Sequence, residues 1–217
     1  MLKKLPPEKL AEILEAGIEE FALHGPGRAN MRAIAARAGI SVGALYKYYG
    51  DKDGFFRACL DRSLEGLDAV LSAAAAREGP VLEQARQIIR ALLAFSREHP
   101  DYVRLYSMLT VAGGEQAALL AEKIEGAAAR LYAGRIAQCQ ANGDLRRDMD
   151  PAMFAFFFDS LLMMVQFSGC CGYYRERFRL YAGGEVAERE DLVERELLKF
   201  FESAFTLERD SIVHRQA

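Results

Sequence analysis

An all-α fold is what this sequence predicts, and three observations carry the prediction. Apolar residues recur at spacings of three and four almost throughout the chain. No stretch alternates apolar and polar residues at period two for long. Gly25-Pro26-Gly27, Gly79-Pro80 and Asn142-Gly143 punctuate the periodic segments as helix ends. With 217 residues, 51% of them hydrophobic, the chain is able to bury a sizeable core.

The helices follow in order, about nine of them. Pro6 and Pro7 open the first, whose stripe Leu10, Ile13, Leu14, Ile18 and Phe21 runs to the stop at Gly25-Pro26-Gly27. Asn30 caps Met31 to Ala38, Gly39 breaks that helix, and Ser41 caps a third running to about Tyr48. Asp51 caps a fourth, which carries Phe55, Phe56, Leu60, Leu64, Leu67 and Leu71 to about Ala76. Val81 to Glu98 comes next, then a shorter helix after Pro100 with Tyr102, Leu105, Tyr106 and Leu109, then Glu115 to Ala141. The last two long helices are Asp150 to about Gly172 and about Glu188 to Leu207, joined by a charged, glycine-containing stretch from Tyr173 to Glu185.

Whole-chain charge argues for no particular partner, because 28 basic and 31 acidic residues leave a net charge of −3. Its distribution is more telling. Between residues 28 and 57, Arg28, Arg32, Arg37, Lys47, Lys52 and Arg57 face only Asp51 and Asp53. Four cysteines without a C-x-x-C pair and three scattered histidines predict neither a disulfide framework, nor a metal site, nor any cofactor. The adjacent Cys170 and Cys171 read as small buried hydrophobes rather than a redox pair. No nucleophile–base pair, P-loop or dinucleotide fingerprint marks an enzyme. The N-terminal MLKKLPPEKL has no apolar export core, so a cytoplasmic location is expected. Ala152 to Gly172 is long enough to span a bilayer, but Asp159 and Gln166 sit seven apart on one face, so a buried helix is expected and no membrane partner.

A helix-turn-helix needs two short helices crossing steeply over a small residue, with a tight turn and fixed apolar plugs. Met31 to Tyr48 meets those demands: Ile34 faces the core, Ala35 is small at the crossing, Ala38 packs, Gly39 turns, and Ile40 and Leu45 plug. Val42 to Tyr48 is then the recognition helix, with Ser41, Gly43 and Ala44 small enough at its start to approach DNA. Tyr46, Tyr48 and Tyr49 also read as a core aromatic cluster, the reading preferred for Tyr48, which stays in the candidate set.

Residues Phe21, Gly25, Ile34, Ala35, Ala38, Gly39, Ile40, Ser41, Gly43, Leu45, Tyr46, Tyr48, Tyr49 and Lys52 resemble the N-terminal pattern of the TetR family of regulators. The resemblance covers about residues 8 to 60; beyond them only helix count, helix length and Gly143-Asp144-Leu145-Arg146 before Asp150-Pro151 agree. Where family members commonly carry hydroxyl residues before the second helix, this chain has Ala29-Asn30, and Asn30 can both cap and donate to a phosphate. The resemblance implies that Tyr46 and Lys52 hold phosphates, Lys52 at a helix start that favours anions, while Val42, Gly43, Lys47 and Arg32 read bases. It implies a head at residues 1–52 and a helical ligand-binding and dimerisation domain at 53–217.

Specific binding by so short a helix requires two copies on half-sites about 34–36 Å apart. Phe154, Phe157, Leu161 and Met164, with Leu197, Phe200, Phe201, Ala204 and Phe205, are the expected homodimer faces of the last two long helices. A mostly apolar effector pocket is expected among Phe95, Tyr102, Tyr106, Met108, Tyr132, Phe158, Met163 and Gln166, suited to an apolar or aromatic small molecule. The sequence therefore predicts a dimeric, ligand-released repressor of pseudo-palindromic operator DNA. The alternative is a helical small-molecule-binding protein or enzyme that binds no DNA.

Overall fold

The computed structural model describes residues 5–77, 79–110 and 115–205. Ten helices and no strands occur among them. The N-terminal group is α1 (Pro7–Arg28), α2 (Met31–Arg37), α3 (Val42–Tyr49) and the long α4 (Lys52–Ala75). Next come α5 (Val81–Glu98), α6 (Pro100–Leu109) and α7 (Glu115–Asn142). The chain then forms α8 (Pro151–Cys170), α9 (Gly172–Ala182) and α10 (Glu190–Phe205).

Local chemistry sets the boundaries. Gly25, at φ 73° and ψ 162°, breaks the helical path of α1, and the Ala29 amide donates to its carbonyl at 3.0 Å. Asp150 accepts from the Ala152 and Met153 amides at 2.9 and 3.0 Å, starting α8 directly at Pro151. Cys171 is extended (φ −99°, ψ 126°), so α8 ends at Cys170, short of the expected Gly172. The expected end of the last helix at Leu207 lies outside the described residues.

One expectation fails outright: the connection read between Tyr173 and Glu185 is mostly the helix α9. None of its side chains is fully buried, and only Tyr174 and Phe178, one turn apart, are half-buried against the apolar core, too short a stripe for periodicity to stand out. It is held also by the Glu176–Arg179 pair at 2.6 Å, by Arg177 over the Tyr181 ring at 5.3 Å, and by Gly183 ending it in the left-handed region (φ 72°). Those three signals are readable in the sequence.

Two apolar clusters hold the molecule together. The first joins α1–α4 to α6 and the end of α8 through Ile13, Phe21, Ile34, Leu45, Phe55, Leu105 and Phe167. The second joins α5, α7, α8 and α10 through Ile89, Leu92, Ile136, Phe154, Leu162 and Phe201. Each such fully buried side chain contributes roughly 1.5–3 kcal/mol. Leu67 of α4 packs against both clusters, so this helix ties them together. At Gly17 a β-carbon would lie 2.5 Å from Phe55 and 2.6 Å from Cys59, and only glycine lets α1 and α4 approach so closely.

By length and composition α8 could cross a membrane, yet Phe154, Ala155, Phe158, Leu162, Gln166 and Phe167 are buried within the protein. Its remaining apolar side chains differ from the expected dimer stripe. Phe154 and Phe201 belong to the core, whereas Met153, Phe156 and Phe157 on α8 and Phe200 on α10 are exposed, Phe156 at 62%. The reason is that α8 is apolar all round from Phe154 to Phe158, so three-four spacing selects several phases equally well. The Phe205 side chain lies outside the described residues.

Candidate nucleic-acid interface and ligand cavity

The α2–α3 unit is built by caps and a turn. Asn30 Oδ1 accepts from the Arg32 and Ala33 amides at 3.0 and 3.4 Å, and Ser41 Oγ accepts from the Ala44 amide at 3.1 Å. Between the helices Gly39 sits at φ 62°, where the Ala35 carbonyl accepts from the Ile40 amide at 2.9 Å. Ile34, Ala35, Ala38 and Leu45 are buried beneath. This is the crossing that the small and apolar positions predict.

Above that base stand the candidate contacts. Asn30, Arg32, Ser41, Gly43, Tyr46, Lys47 and Tyr48 are exposed, and Val42, Ala44 and Lys52 are half-buried. Val42 also leans on the first core cluster. Tyr48 is exposed rather than a core residue, and its hydroxyl accepts from the Leu5 amide at 2.7 Å; Tyr49 instead packs on Phe55, ring centres 4.8 Å apart. Lys52 Nζ donates to the Gly27 carbonyl at 3.0 Å, which ties the start of α4 to the α1–α2 loop. Arg37 pairs with Glu19 at 2.7 Å. Among the described residues Lys47 and Arg32 make no ion pair. One residue was missed by sequence reasoning: Glu20, itself buried, accepts from the Asn30 amide at 2.9 Å and so fixes the entry to α2.

The eight expected pocket residues do not line one cavity. Phe95 and Tyr102 border a depression of about 330 Å³ with Gly66, Val70 and His99. Tyr132 lines a cleft of about 310 Å³ between α4 and α7, with Leu64, Leu67, Leu71, Ala128 and Leu131. Tyr132 and Phe158 border a small void of about 60 Å³ beside Ile88 and Ile136. Tyr106 and Met163 meet in the interior, where the Tyr106 hydroxyl lies 3.5 Å from Met163 Sδ and donates to Glu125 Oε1 at 2.5 Å. Met108 and Gln166 line none of these spaces.

Glu125 and Asp159 give this interior its charge. Burial first, and then the charge of Glu125, push the Asp159 carboxyl up to about 6. The Tyr106 and Tyr132 hydroxyls are likewise pushed up, by burial first and then by these carboxylates. Sequence analysis singled out Asp159 only as the charge in an apolar helix; its partner comes from another helix and no local pattern announces it. Cys170 is buried with its sulfur 3.9 Å from that of the half-buried Cys171. The Cys171 thiol is lowered to about 7, chiefly by its hydrogen bond with Cys170, with smaller help from Ser107 and Arg104. Among the described residues no group of His, Cys, Asp or Glu is arranged to hold a metal ion.

Comparison with known proteins agrees with this geometry. Residues 13–59 match the family described as "Bacterial regulatory proteins, tetR family". The chain is 33% identical over 106 residues to the HTH-type transcriptional repressor SCO4008 of Streptomyces coelicolor, a match covering 48% of this chain and 51% of that protein. The chain spans about half the length of the curated relatives it matches. Over 94% of its length it shares the fold of a TetR family transcriptional regulator from Chloroflexus aurantiacus, with TM-score 0.66, 18% identity and 96% of that chain covered. Over 87% it shares the fold of the regulator FadR from Bacillus subtilis in complex with stearoyl-CoA, with TM-score 0.69, 11% identity and 97% covered.

Proposed function

We propose that this chain, which carries the DNA-binding domain of the bacterial TetR family at residues 13–59, is a ligand-responsive transcriptional repressor and not an enzyme. The single observation behind this reading is the α2–α3 unit: capped at both starts, plugged by Ile34 and Leu45, and crowned by exposed Tyr46 and Lys47. In this reading residues 1–52 are the head and residues 53–217 bind the effector and dimerise.

Tyr46, Lys52 and Asn30 hold phosphates and set the register on the duplex, while Lys47, Arg32, Val42 and Gly43 meet base edges in the major groove. Ser41 and Ala44 let the start of α3 approach closely. A homodimer formed across the exposed Phe156, Phe157 and Phe200 surface presents two heads to a pseudo-palindrome in the cytoplasm. The repressor reading draws on the naming of the Streptomyces relative, and the effector reading draws on the acyl-CoA complex of a protein that shares only the fold. Ligand in the α4–α7 region shifts α4 and, through Leu67 and the first core cluster, the separation of the heads.

Selection of bound duplexes from a random library tests this reading. The wild type is expected to enrich a pseudo-palindrome, Tyr46→Ala to weaken binding without changing preference, and Lys47→Ala to relax preference at one position of each half-site. No enrichment at low salt, where phosphate contacts are strongest, overturns it.

A further inference from the structure

We infer that Cys170 and Cys171 form a chelating site for a trivalent arsenical, one arsenic atom bridging the two sulfurs. This goes beyond the operator-binding reading and stands without it. The backbone makes the pair. Side chains of adjacent residues in a regular helix diverge and do not face each other. Here Cys170 ends α8 and Cys171 is extended, at φ −99° and ψ 126°, which sets the two sulfurs 3.9 Å apart. The turn is fixed on both sides: the Phe167 carbonyl accepts from the Cys171 amide at 2.7 Å, and the Cys171 carbonyl accepts from the Arg175 amide at 2.9 Å. From α6, Arg104 Nε donates to the Cys170 carbonyl at 3.0 Å, and Arg104 is itself paired with Asp101. The dithiol is therefore pre-organised rather than assembled on binding.

That geometry selects the guest. Adjacent α-carbons are about 3.8 Å apart across a trans peptide, short of the roughly 4.4–6.8 Å that ordinary disulfides span, so direct oxidation of the pair to a disulfide is strained. An atom placed between the sulfurs relieves that constraint. Bonds from a thiolate to a thiophilic centre are about 2.3 Å long, so one atom reaches both thiols. At a sulfur separation of 3.9 Å such a bridge is bent. Mercuric and cuprous ions held by two thiolates favour a straight bridge, with about 4.6 Å between the sulfurs. Structural zinc needs four ligands, and among the described residues no third His, Cys, Asp or Glu joins the pair to build such a set. Trivalent arsenic is pyramidal, takes two thiols at a bent angle, and brings its own third substituent.

The approach to the pair is open. Gly169 and Gly172 bracket it and are exposed, and a β-carbon added at either would meet nothing within 4 Å. Cys171 is half-buried and meets the arsenical first, and the buried Cys170 closes the ring. Closure is a condensation: two sulfur–arsenic bonds form, arsenic–oxygen bonds break, and the two thiol protons leave with the oxygen as water. Arsenic stays trivalent, so no oxidant or reductant takes part. The second bond is intramolecular and holds the arsenic far more firmly than one thiol does. Cys59 and Cys139 are buried in different core clusters, where each offers a single thiol.

Phenylarsine oxide is the probe, added to the full chain with excess glutathione, which strips arsenic from single thiols. Intact-protein mass spectrometry is expected to find one phenylarsenic group per chain, two thiols lost together, and release by a dithiol such as ethanedithiol. Cys170→Ser and Cys171→Ser, each shown by cooperative melting to be folded, are expected to retain the label at least about tenfold more weakly. Cys139→Ser is expected to retain it fully. Competition by sodium arsenite supports the inference for inorganic arsenic, and labelling without such competition supports it for organic arsenicals alone. Complete removal of the label by glutathione overturns the inference, as does unchanged retention in both folded variants of the pair.

Discussion

Folding carries Asp159 from water into a largely buried position beside Glu125, and its carboxyl rises to about 6. Because the folded value lies above the unfolded one, the protonated form favours the folded state. That stabilisation is complete below about pH 4 and is lost as pH climbs through 6. A rise of about two units corresponds to roughly 3 kcal/mol. Asp159→Asn keeps the shape without the charge, so urea denaturation is expected to find it more stable than wild type at pH 7 and nearly equal at pH 4. A variant less stable at pH 7 contradicts the burial argument. At this scale the caps were legible: Asn30, Ser41 and Asp51 bond amides two or three residues onward, within reach of a sequence pattern. Glu20 with Asn30, and Tyr106 with Glu125, bond across turns and between helices, where composition and spacing carry no information.

Helices show the same division between what is local and what is not. The boundaries of α2 to α6 follow from caps, glycines and prolines, and the expected limits of α5, Val81 and Glu98, are those observed. The α9 helix escaped because only Tyr174 and Phe178 lean on the core and none of its side chains is fully buried, too little for hydrophobic periodicity to register. On α8 the difficulty is the reverse, since apolar residues surround the helix and the core face cannot be told from the surface face. Burial separates them: Phe154 and Phe158 turn inward, and Phe156 and Phe157 turn out beside Phe200. An exposed aromatic surface of this kind calls for a covering partner, and in the proposed homodimer that partner is the same surface of a second copy. Phe157→Glu combined with Phe200→Glu is expected to convert a dimer to a folded monomer in sedimentation. A wild type that sediments as a monomer contradicts the dimer face.

Across the whole molecule, α4 is the element that belongs to both parts. It starts at the head, where Lys52 holds the Gly27 carbonyl, and further along it provides one wall of the acid-rimmed cleft while Leu67 packs on both cores. The α6 helix lies between α1 and α8 and so offers a second route between ligand region and head. A ligand that prefers one α4 position by about 1–3 kcal/mol changes operator affinity roughly 5- to 150-fold. The all-α class and the N-terminal helix-turn-helix were legible from the apolar periodicity and the spacing of the small residues between Met31 and Tyr48. The cleft was not, because it arises from where α7 stands relative to α4, and of the eight candidates chosen by composition only Phe95, Tyr102, Tyr132 and Phe158 line any of these spaces.

The most direct test is an anisotropy titration of the selected duplex against a scrambled duplex of equal composition, between about 50 and 200 mM salt. The account predicts two chains per selected duplex and an affinity at least about 10³-fold above the scrambled one. It also predicts that Tyr46→Ala weakens binding at every salt concentration. Equal affinity for both duplexes would contradict sequence-specific recognition by α3.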